Sequence, residues 1–305
     1  MGVNAASDKG RVAIVTGAGK GLGAAYARAL GASGYRLVVN NRKREGEPSS
    51  ADRIVEDLRN SGVEAVAEYS DVASADASET IVNKAITAFG RLDVVVFNAG
   101  IVGEVGWFGT NDIENFRNVL EVNYIANVQL ALAALPHLKE SGSGRMVFVS
   151  SAAGLYGARG LSPYAGAKGA LTAFALTLSD ELKRYGIGVN VVTPFAVTQM
   201  TEGDFGADSE YAKPEHTAPA IVWMASKDNP MTGQIWVAAG GHYRRAVSVE
   251  TIGGAGENTA EWLIENIDLL SSLEEIKTFP GAQEAFRDIF SEIIRSQKKN
   301  NQGEN

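Results

Sequence analysis

Short apolar segments alternate with longer segments of helical periodicity along most of the chain. Seven of them, each five or six residues long, have the length and the β-branched content of buried strands: residues 12–16, 36–40, 63–68, 92–97, 145–150, 188–192 and 234–238. Strands that are apolar on both faces and alternate with helices are typical of parallel sheets covered on both sides. The pattern therefore predicts an α/β fold with a doubly wound, seven-stranded parallel sheet.

Helical segments fill the intervals between nearly all of these strands. Residues 22–30 form a segment of small residues, and residues 51–60 carry Ile54, Val55 and Leu58 on one helical face. The alternation of strands and helices ends near residue 245. We therefore predict one dinucleotide-binding and catalytic domain over residues 1–245 and a separate helical extension over residues 246–305.

Two apolar stripes lie in this extension, each repeating at intervals of three and four residues as one face of a helix does. Their members are Leu263, Ile264, Ile267 and Leu270 in the first and Phe286, Ile289, Phe290 and Ile293 in the second. Pro280 suits the start of the second helix. An apolar stripe must be buried, either against its own domain or against another subunit.

Composition excludes several kinds of chemistry. The chain of 305 residues has a formal charge of −8 and no cysteine, so it forms neither disulfides nor thiolate metal sites. An acidic chain is a poor candidate for nucleic-acid binding. We expect no membrane helix, since no run approaches about 20 apolar residues, and a cytoplasmic location, since the N-terminus resembles no signal peptide. His137, His216 and His242 lack ligand spacing, so no metal is expected.

A glycine-rich segment, Thr16-Gly17-Ala18-Gly19-Lys20-Gly21-Leu22-Gly23, follows the first strand directly and leads into a helix. Glycines allow a sharp turn and bring backbone N–H groups close to a pyrophosphate, and the helix N-terminus adds partial positive charge. A flexible turn could contain the same glycines, but the position between a strand and a helix favours nucleotide binding. The predicted contacts are Gly17, Gly19, Lys20, Gly21, Leu22 and Gly23.

The end of the second strand indicates which dinucleotide is bound. Sites for NAD usually place an acidic residue about 20 positions after the glycines, where it bonds the ribose 2′-hydroxyl. Here the strand ends in Asn40, Asn41, Arg42 and Lys43 instead. A guanidinium would hold a 2′-phosphate, and Lys20 could add a second positive charge. We therefore favour NADP(H), with NAD(H) possible; the alternative is a solvated basic loop.

Two further segments fit the same ligand. Asp71 and Val72, just past the third strand, could flank the adenine, with Asp71 accepting from the amino group. Asn98, Ala99 and Gly100 end the fourth strand, where an open α/β sheet places its ligand crevice. Asn98 could instead tie neighbouring strands together, and both roles are compatible.

Candidate catalytic residues lie in the second half of the sheet. Tyr164 and Lys168 are four residues apart and would project from one helical face. A nearby ammonium lowers the pKa of a phenol and makes it a usable acid/base. Ser151 follows the fifth strand, so its hydroxyl could meet that of Tyr164 over one carbonyl oxygen. Asn123 lies inside a helical stretch, where it could bind a water or a backbone carbonyl, or simply form a polar face.

Taken in order and approximate spacing, these motifs resemble the short-chain dehydrogenase/reductase family over residues 10–245. Within that family the chain looks most like the (3R)-hydroxyacyl-CoA dehydrogenase part of the peroxisomal multifunctional enzyme type 2, through residues 11–26, residues 149–157 and the long extension. The resemblance implies a Rossmann fold and a nicotinamide cofactor. It also implies hydride transfer between a carbonyl and a secondary alcohol. It further implies a homodimer or homotetramer with the extension, residues 246–305, at a subunit interface.

The resemblance further implies a role for each catalytic residue. Tyr164 is the general acid/base, and Ser151 orients and polarises the carbonyl. Lys168 binds the nicotinamide ribose and tunes Tyr164, while Asn123 holds a water that relays protons to Lys168.

The chain departs from the family at two places. Pro194-Phe195 stands where the family often has Pro-Gly, and Thr198 is the predicted contact of the nicotinamide carboxamide, with Thr201 as the alternative. Asn41 stands where relatives of the multifunctional enzyme carry an aspartate, which counts against NAD.

Three loops, residues 101–110, 152–163 and 195–213, should surround the nicotinamide. They contain several apolar side chains, namely Trp107, Phe108, Leu155, Tyr156, Phe195, Met200 and Phe205. Apolar loops at a cleft suggest a hydrophobic substrate, and the glycines of the third loop suggest a mobile lid. The sequence therefore predicts an oxidoreductase acting on a hydrophobic secondary alcohol or ketone, such as a hydroxyacyl or hydroxysteroid compound. The alternative, a non-enzymatic NAD(P)-binding redox sensor on the same fold, would not need the acid/base set.

Overall fold

Seven parallel strands form most of one sheet, as the apolar pattern predicts. The computed structural model describes residues 8–43, 46, 48–196, 210–257 and 259–302. The strands are β1 (Val12–Val15), β2 (Arg36–Asn40), β3 (Ala65–Glu68), β4 (Val94–Phe97), β5 (Arg145–Val149), β6 (Gly188–Phe195) and β7 (Gln234–Ala239). Each pairs in parallel with its neighbours in the order β3-β2-β1-β4-β5-β6-β7. The order reverses between β1 and β4, so a crevice opens there at the carboxyl ends of the strands.

An eighth strand, β8 (His242–Ala246), extends the sheet beyond the predicted seven. It follows β7 after Gly240 and Gly241, whose φ angles are +52° and +79°. A two-residue connection with left-handed backbone permits only an antiparallel pairing. Because its side chains are mostly exposed, β8 has no apolar run, and the hydrophobic pattern could not show it.

Helices cover the sheet in two layers. They are α1 (Gly21–Ala32), α2 (Ser50–Asn60), α3 (Ala77–Phe89), α4 (Ile113–Leu120), α5 (Ala126–Glu140), α6 (Ala152–Tyr156), α7 (Ser162–Glu181) and α8 (Ala218–Ala225). Helix α1 packs against α2 and α8, while α3 packs against α5 and α4 against α7. The strands between them are buried almost completely, which confirms the doubly wound α/β fold.

A single turn of π-helix (Glu121–Ile125) joins α4 to α5, so that Ile113–Glu140 is one continuous helical segment. By length and composition alone this segment would pass as a membrane span, contrary to the expectation from sequence. However, α3 and α7 pack against it, and Asn115, Asn123 and Asn127 are buried within it. The buried side chains of this segment therefore belong to a helix packed on the rest of the α/β fold, while Leu120 and Leu132 are exposed.

The contacts divide the chain into Met1–Arg245 and Ala246–Asn305. Within the second unit, β9 (Glu250–Thr251) pairs antiparallel with β10 (Ile276–Lys277), and the helices are α9 (Ala260–Glu265), α10 (Ile267–Leu270) and α11 (Ala282–Gln302). Helix α11 carries the second predicted stripe. The first stripe is not one helix, because Asn266 leaves the helical backbone (φ −109°, ψ 11°) and donates its side-chain amide to the Trp262 carbonyl at 2.8 Å.

Candidate active site

The glycine-rich turn between β1 and α1 is so tight that several of its glycines have no room for a side chain or adopt left-handed backbone. Gly17 and Gly21 have left-handed φ angles of +64° and +54°. A Cβ on Gly23 would lie 2.4 Å from the Gly17 carbonyl oxygen. The turn is held to β2 by the Ala18 N–H, which donates to the Asn40 carbonyl at 2.8 Å. At its glycines the turn therefore exposes backbone to the crevice at the start of α1, as a pyrophosphate site requires.

Asn98 fastens β4 to this turn. Its side-chain amide donates to the Thr16 carbonyl at 2.8 Å, and the Thr16 hydroxyl accepts the N–H groups of Asn98 and Ala99, both at 3.0 Å. This is the strand-tying role considered from sequence. The same residue also lines the crevice, so the two roles coexist.

A cleft of about 700 Å³ runs along the carboxyl ends of the strands from Arg42 to Tyr164. Most of the predicted site residues line it, namely Gly17, Lys20, Gly21, Leu22, Gly23, Asn41, Arg42, Asp71, Val72, Asn98, Ala99, Gly100, Ser151, Tyr164, Lys168 and Pro194. Gly19 and Asn123 do not line it, and Thr198 lies outside the described residues. The volume is in the range of ordinary small-molecule sites.

Gly19 faces α2 instead of the cleft. A Cβ there would lie 2.2 Å from the Ser50 hydroxyl and 2.7 Å from the Asn41 amide nitrogen. Asn41 donates to that hydroxyl at 2.8 Å, and Ser49 caps α2 by accepting the Asp52 N–H at 3.2 Å. The N-terminus of α2 is thus part of the cleft wall, which the sequence analysis missed. The available signal was Ser49 at a helix start, three residues before an acid.

Tyr164, Ser151 and Lys168 meet at the other end of the cleft. Tyr164 and Lys168 lie one turn apart on α7, and hydrogen bonding by the Ser151 side chain acts to lower the pKa of Tyr164. Ser151 also caps α6 by accepting the Ala153 N–H at 3.2 Å. Two hydroxyls at the edge of a cleft can bind one carbonyl oxygen between them.

The pKa of Tyr164 differs from the expectation. Burial raises it above the ordinary value of a phenol, and the hydrogen bond from Ser151 offsets only part of this effect. The predicted lowering by Lys168 is not seen, and burial lowers the pKa of Lys168 itself to about 8. Its Nζ donates to the Val149 carbonyl at 2.7 Å and lies 5.8 Å from the centre of the Tyr164 ring. Desolvation therefore outweighs the charge–charge effect at this site.

Asn123 is fully buried in the π-helical turn. Its side-chain oxygen accepts the Ile101 N–H and its side-chain nitrogen donates to the Ile101 carbonyl, both at 2.8 Å. A Cβ on Gly100 would lie 3.0 Å from the Asn123 oxygen and 3.5 Å from the Lys168 nitrogen, so the two side chains flank the same glycine. Asn123 thus fixes the loop after β4, and its water-binding role stays a prediction.

Three residues that the sequence analysis missed hold the Lys168 backbone. The hydroxyls of Ser150 and Thr172 donate to the Lys168 carbonyl at 3.0 and 2.9 Å and lie 2.8 Å apart. Gly154 packs closely against the same segment, since a Cβ there would lie 2.7 Å from the Lys168 carbonyl carbon. They set the position of α7 against β5 and α6. Only Thr172, four residues after Lys168 on the helix, gave a signal in the sequence.

Exposed apolar side chains stand on the loops that were expected to form the substrate mouth. Val105, Trp107, Phe108 and Tyr156 are all more than two-thirds exposed. The two loops are joined where the Gly106 N–H donates to the Gly160 carbonyl at 3.0 Å and where the Arg159 guanidinium lies 5.8 Å from the centre of the Trp107 ring. The predicted lid, with Met200 and Phe205, lies outside the described residues.

The histidines are placed away from this cleft. His242 is exposed on β8, with Nδ1 3.3 Å from the Gly240 carbonyl, and Nδ1 of His216 lies 3.0 Å from the Tyr211 carbonyl. Within the described part of the chain, no three His, Asp or Glu side chains are grouped as metal ligands. Tyr164, Ser151 and Lys168, which line the cleft, stay the predicted catalytic residues.

Comparison with known proteins places the chain in a family. The family model described as short chain dehydrogenase matches residues 11–208. A protein of Mycobacterium tuberculosis described as a short-chain type dehydrogenase/reductase is 35% identical over 254 residues, covering 81% of this chain and 87% of its own length. The peroxisomal multifunctional enzyme type 2 of Mus musculus is 37% identical over 238 residues, covering 76% of this chain.

A solved structure gives the same result at the level of the fold. The full-length peroxisomal multifunctional enzyme type 2 of Drosophila melanogaster superposes with a TM-score of 0.79 at 26% identity, over 94% of this chain. The match spans 50% of the Drosophila chain, and the match to the mouse enzyme spans 32% of that protein. The similarity therefore concerns one part of these longer enzymes, as the sequence motifs predicted.

Proposed function

The chain belongs to the short-chain dehydrogenase family and is an NAD(P)-dependent oxidoreductase of CH–OH groups, and we propose the finer features of its reaction. It prefers NADP(H), and it interconverts a hydrophobic secondary alcohol, such as a hydroxyacyl or hydroxysteroid compound, with its ketone. Tyr164 is the general acid/base. The observation that carries this proposal is that Tyr164, Ser151 and Lys168 line one end of the same cleft, with Tyr164 and the buried Lys168 one helical turn apart on α7.

The cleft fits a nicotinamide cofactor, which supplies or accepts a hydride when bound. Gly17 and Gly21 adopt left-handed backbone, a Cβ on Gly23 would collide with the Gly17 carbonyl oxygen, and the N-terminus of α1 that follows this tight turn would hold the phosphates. Asn98 to Gly100 would line the middle of the ligand, and Tyr164 with Lys168 the nicotinamide end. These residues form one continuous wall of the cleft.

Ser151 and Tyr164 perform the proton chemistry. Their hydroxyls bind the carbonyl oxygen, and Tyr164 donates its proton to that oxygen in reduction and takes it back in oxidation. Because burial raises the pKa of Tyr164, the phenol stays protonated near neutral pH, which suits the acid role in reduction. The Ser150–Thr172 pair holds the Lys168 backbone and so keeps Tyr164 within reach of Ser151.

The preference for NADP(H) is supported by the charges at the end of β2. Lys20, Arg42 and Lys43 line this part of the cleft, and Asn41 and Ser50 add polar groups. We expect Arg42→Ala to weaken NADPH binding about tenfold and NADH binding less than twofold, measured by fluorescence titration. Arg28→Ala is the matched control, because Arg28 forms an equally exposed ion pair with Asp57 outside the cleft. Equal losses for both cofactors would contradict the phosphate role.

The substrate class is supported by the exposed apolar side chains of the mouth, Val105, Trp107, Phe108 and Tyr156. A panel of ketones of increasing apolar surface, followed by the absorbance of the reduced cofactor, tests it. We expect kcat/KM to rise with apolar surface. Tight cofactor binding without turnover on any carbonyl would contradict the enzyme function and favour a redox sensor.

A further inference from the structure

Two predicted cofactor contacts are bound to each other. The Arg42 guanidinium, just past β2, lies 2.9 Å from the Asp71 carboxylate, just past β3. Both side chains line the cleft, and both are partly exposed, at 50% and 37%. The sequence analysis assigned Arg42 to a 2′-phosphate and Asp71 to the adenine, with no link between them. The ion pair means that the two roles are coupled.

The carboxylate is the fixed member of this pair. The second oxygen of Asp71 accepts the Ala73 N–H at 3.2 Å, and its carbonyl accepts the Ser74 N–H at 2.8 Å. Arg42 reaches Asp71 through a long and flexible side chain. When a phosphate competes for the guanidinium, Arg42 is therefore the group that moves.

Other charged groups nearby have different partners. Lys43 lies 5.8 Å from the centre of the Tyr69 ring, and the Tyr69 hydroxyl donates to Asp52 at 2.6 Å. The Glu68 carboxylate accepts the Asn40 amide and the Ser70 hydroxyl, both at 2.6 Å. Among the described residues, Asp71 is thus the carboxylate that meets Arg42 in the cleft.

We propose that Asp71 limits the preference for NADP(H) by competing with the 2′-phosphate for Arg42. Binding of NADPH must break or share the Arg42–Asp71 pair, whereas binding of NADH leaves it intact. The pair therefore weakens the binding of NADPH and leaves the binding of NADH unaffected, so that both cofactors remain usable. Because exposed ion pairs are weak, this competition lowers the affinity for NADPH by about two- to fivefold. This inference rests on the proposed function, because it requires a nicotinamide cofactor in this cleft.

Asp71→Asn in the full-length protein tests the competition. The asparagine keeps an oxygen for the Ala73 N–H but loses the charge that holds Arg42. We expect the ratio of the NADH to the NADPH dissociation constant to rise about two- to fivefold, as measured by fluorescence titration. Loss of an adenine contact would weaken both cofactors equally and leave this ratio unchanged. Asp57→Asn, which breaks the Arg28–Asp57 pair outside the cleft, is the matched control and should leave the ratio unchanged.

A double-mutant cycle separates action through Arg42 from direct repulsion of the phosphate. In the Arg42→Ala background, Asp71→Asn should change the ratio far less than in the unchanged protein. An equal change in both backgrounds would contradict the inference, and so would an unchanged ratio while both cofactors bind. Failure of the unchanged protein to bind either cofactor would instead contradict the proposed function, and this inference with it.

Discussion

Lys168 carries its ammonium in a place that water hardly reaches. Its side chain is 3% exposed, and its hydrogen bond to the Val149 carbonyl does not neutralise the charge. Burial therefore lowers its pKa to about 8. Between pH 8 and the ordinary lysine value near 10.4, the unfolded chain binds more protons at this site than the folded one. The stability contributed by this residue must accordingly rise with pH in that window.

Lys168→Met tests this linkage without any assay of activity. The variant lacks the titrating group. The unfolding free energy of the unchanged protein minus that of the variant should therefore increase by roughly 2–3 kcal/mol between pH 7 and pH 10. Urea denaturation of both proteins at the two pH values measures the difference. A difference that does not depend on pH would show that Lys168 is not desolvated.

Sequence motifs located most of the residues that line the cleft, but not what each side chain contacts. The spacing of Tyr164 and Lys168 on one helical face gave the pair correctly, because helical geometry is local. The Arg42–Asp71 pair and the bonds of Asn123 to Ile101 depend on segments 22 to 29 positions apart. The direction of the Tyr164 pKa shift likewise depends on burial, which is set by the whole fold.

At the scale of elements, the contact between α6 and α7 sets the positions of Ser151 and Tyr164, the proposed catalytic groups. Gly154→Ala would place a methyl group 2.7 Å from the Lys168 carbonyl carbon and 2.9 Å from the Gly169 nitrogen, so α6 must move away from α7. We expect a loss of about 1–3 kcal/mol in stability and a lower kcat, because Ser151 at the start of α6 moves with it.

Gly166→Ala is the matched control on α7, since a Cβ there meets nothing within 4 Å. In a helix this change should stabilise the protein by about 0.5–1 kcal/mol. Thermal denaturation measures the stability of the two variants, and an assay of turnover measures their kcat. Equal behaviour of the two alanines would contradict the packing role of Gly154.

Elements with an apolar pattern were predictable, and those without one were not. All seven parallel strands are apolar and appear where predicted, whereas β8 is exposed and its sequence reads His-Tyr-Arg-Arg-Ala. The stripe over residues 263–270 has helical spacing, but Asn266 interrupts the helix by bonding back to Trp262. Periodicity shows which face of a helix is apolar. It does not show that a single side chain will bond to a backbone carbonyl and interrupt the helix.

At the scale of the molecule, the extension leaves a long apolar stripe exposed. Phe286, Ile289, Phe290 and Ile293 on α11 are each at least 43% exposed. Such a stripe is costly in water, and we propose that it lies at the interface of a homo-oligomer. The sequence shows the stripe but not the surface that covers it, because that surface is not a neighbour along the chain.

Charged substitutions on the stripe test the interface. Phe290→Asp with Ile293→Asp should lower the mass measured by light scattering to that of a smaller assembly. Gln283→Asp with Ser291→Asp adds the same charge at exposed polar positions of α11 and should leave the mass unchanged. An unaltered mass in the first variant, at normal stability, would contradict the proposed interface.

The central claim is that Tyr164 exchanges a proton with the substrate oxygen, and Tyr164→Phe tests it most directly. The measurement pairs turnover of a ketone with NADPH titration on the same preparation, with Tyr185→Phe, which does not line the cleft, as the control. The account predicts that Tyr164→Phe loses at least about a hundredfold in turnover while the NADPH dissociation constant stays within about twofold, and that Tyr185→Phe changes neither quantity. Full turnover by Tyr164→Phe would contradict it.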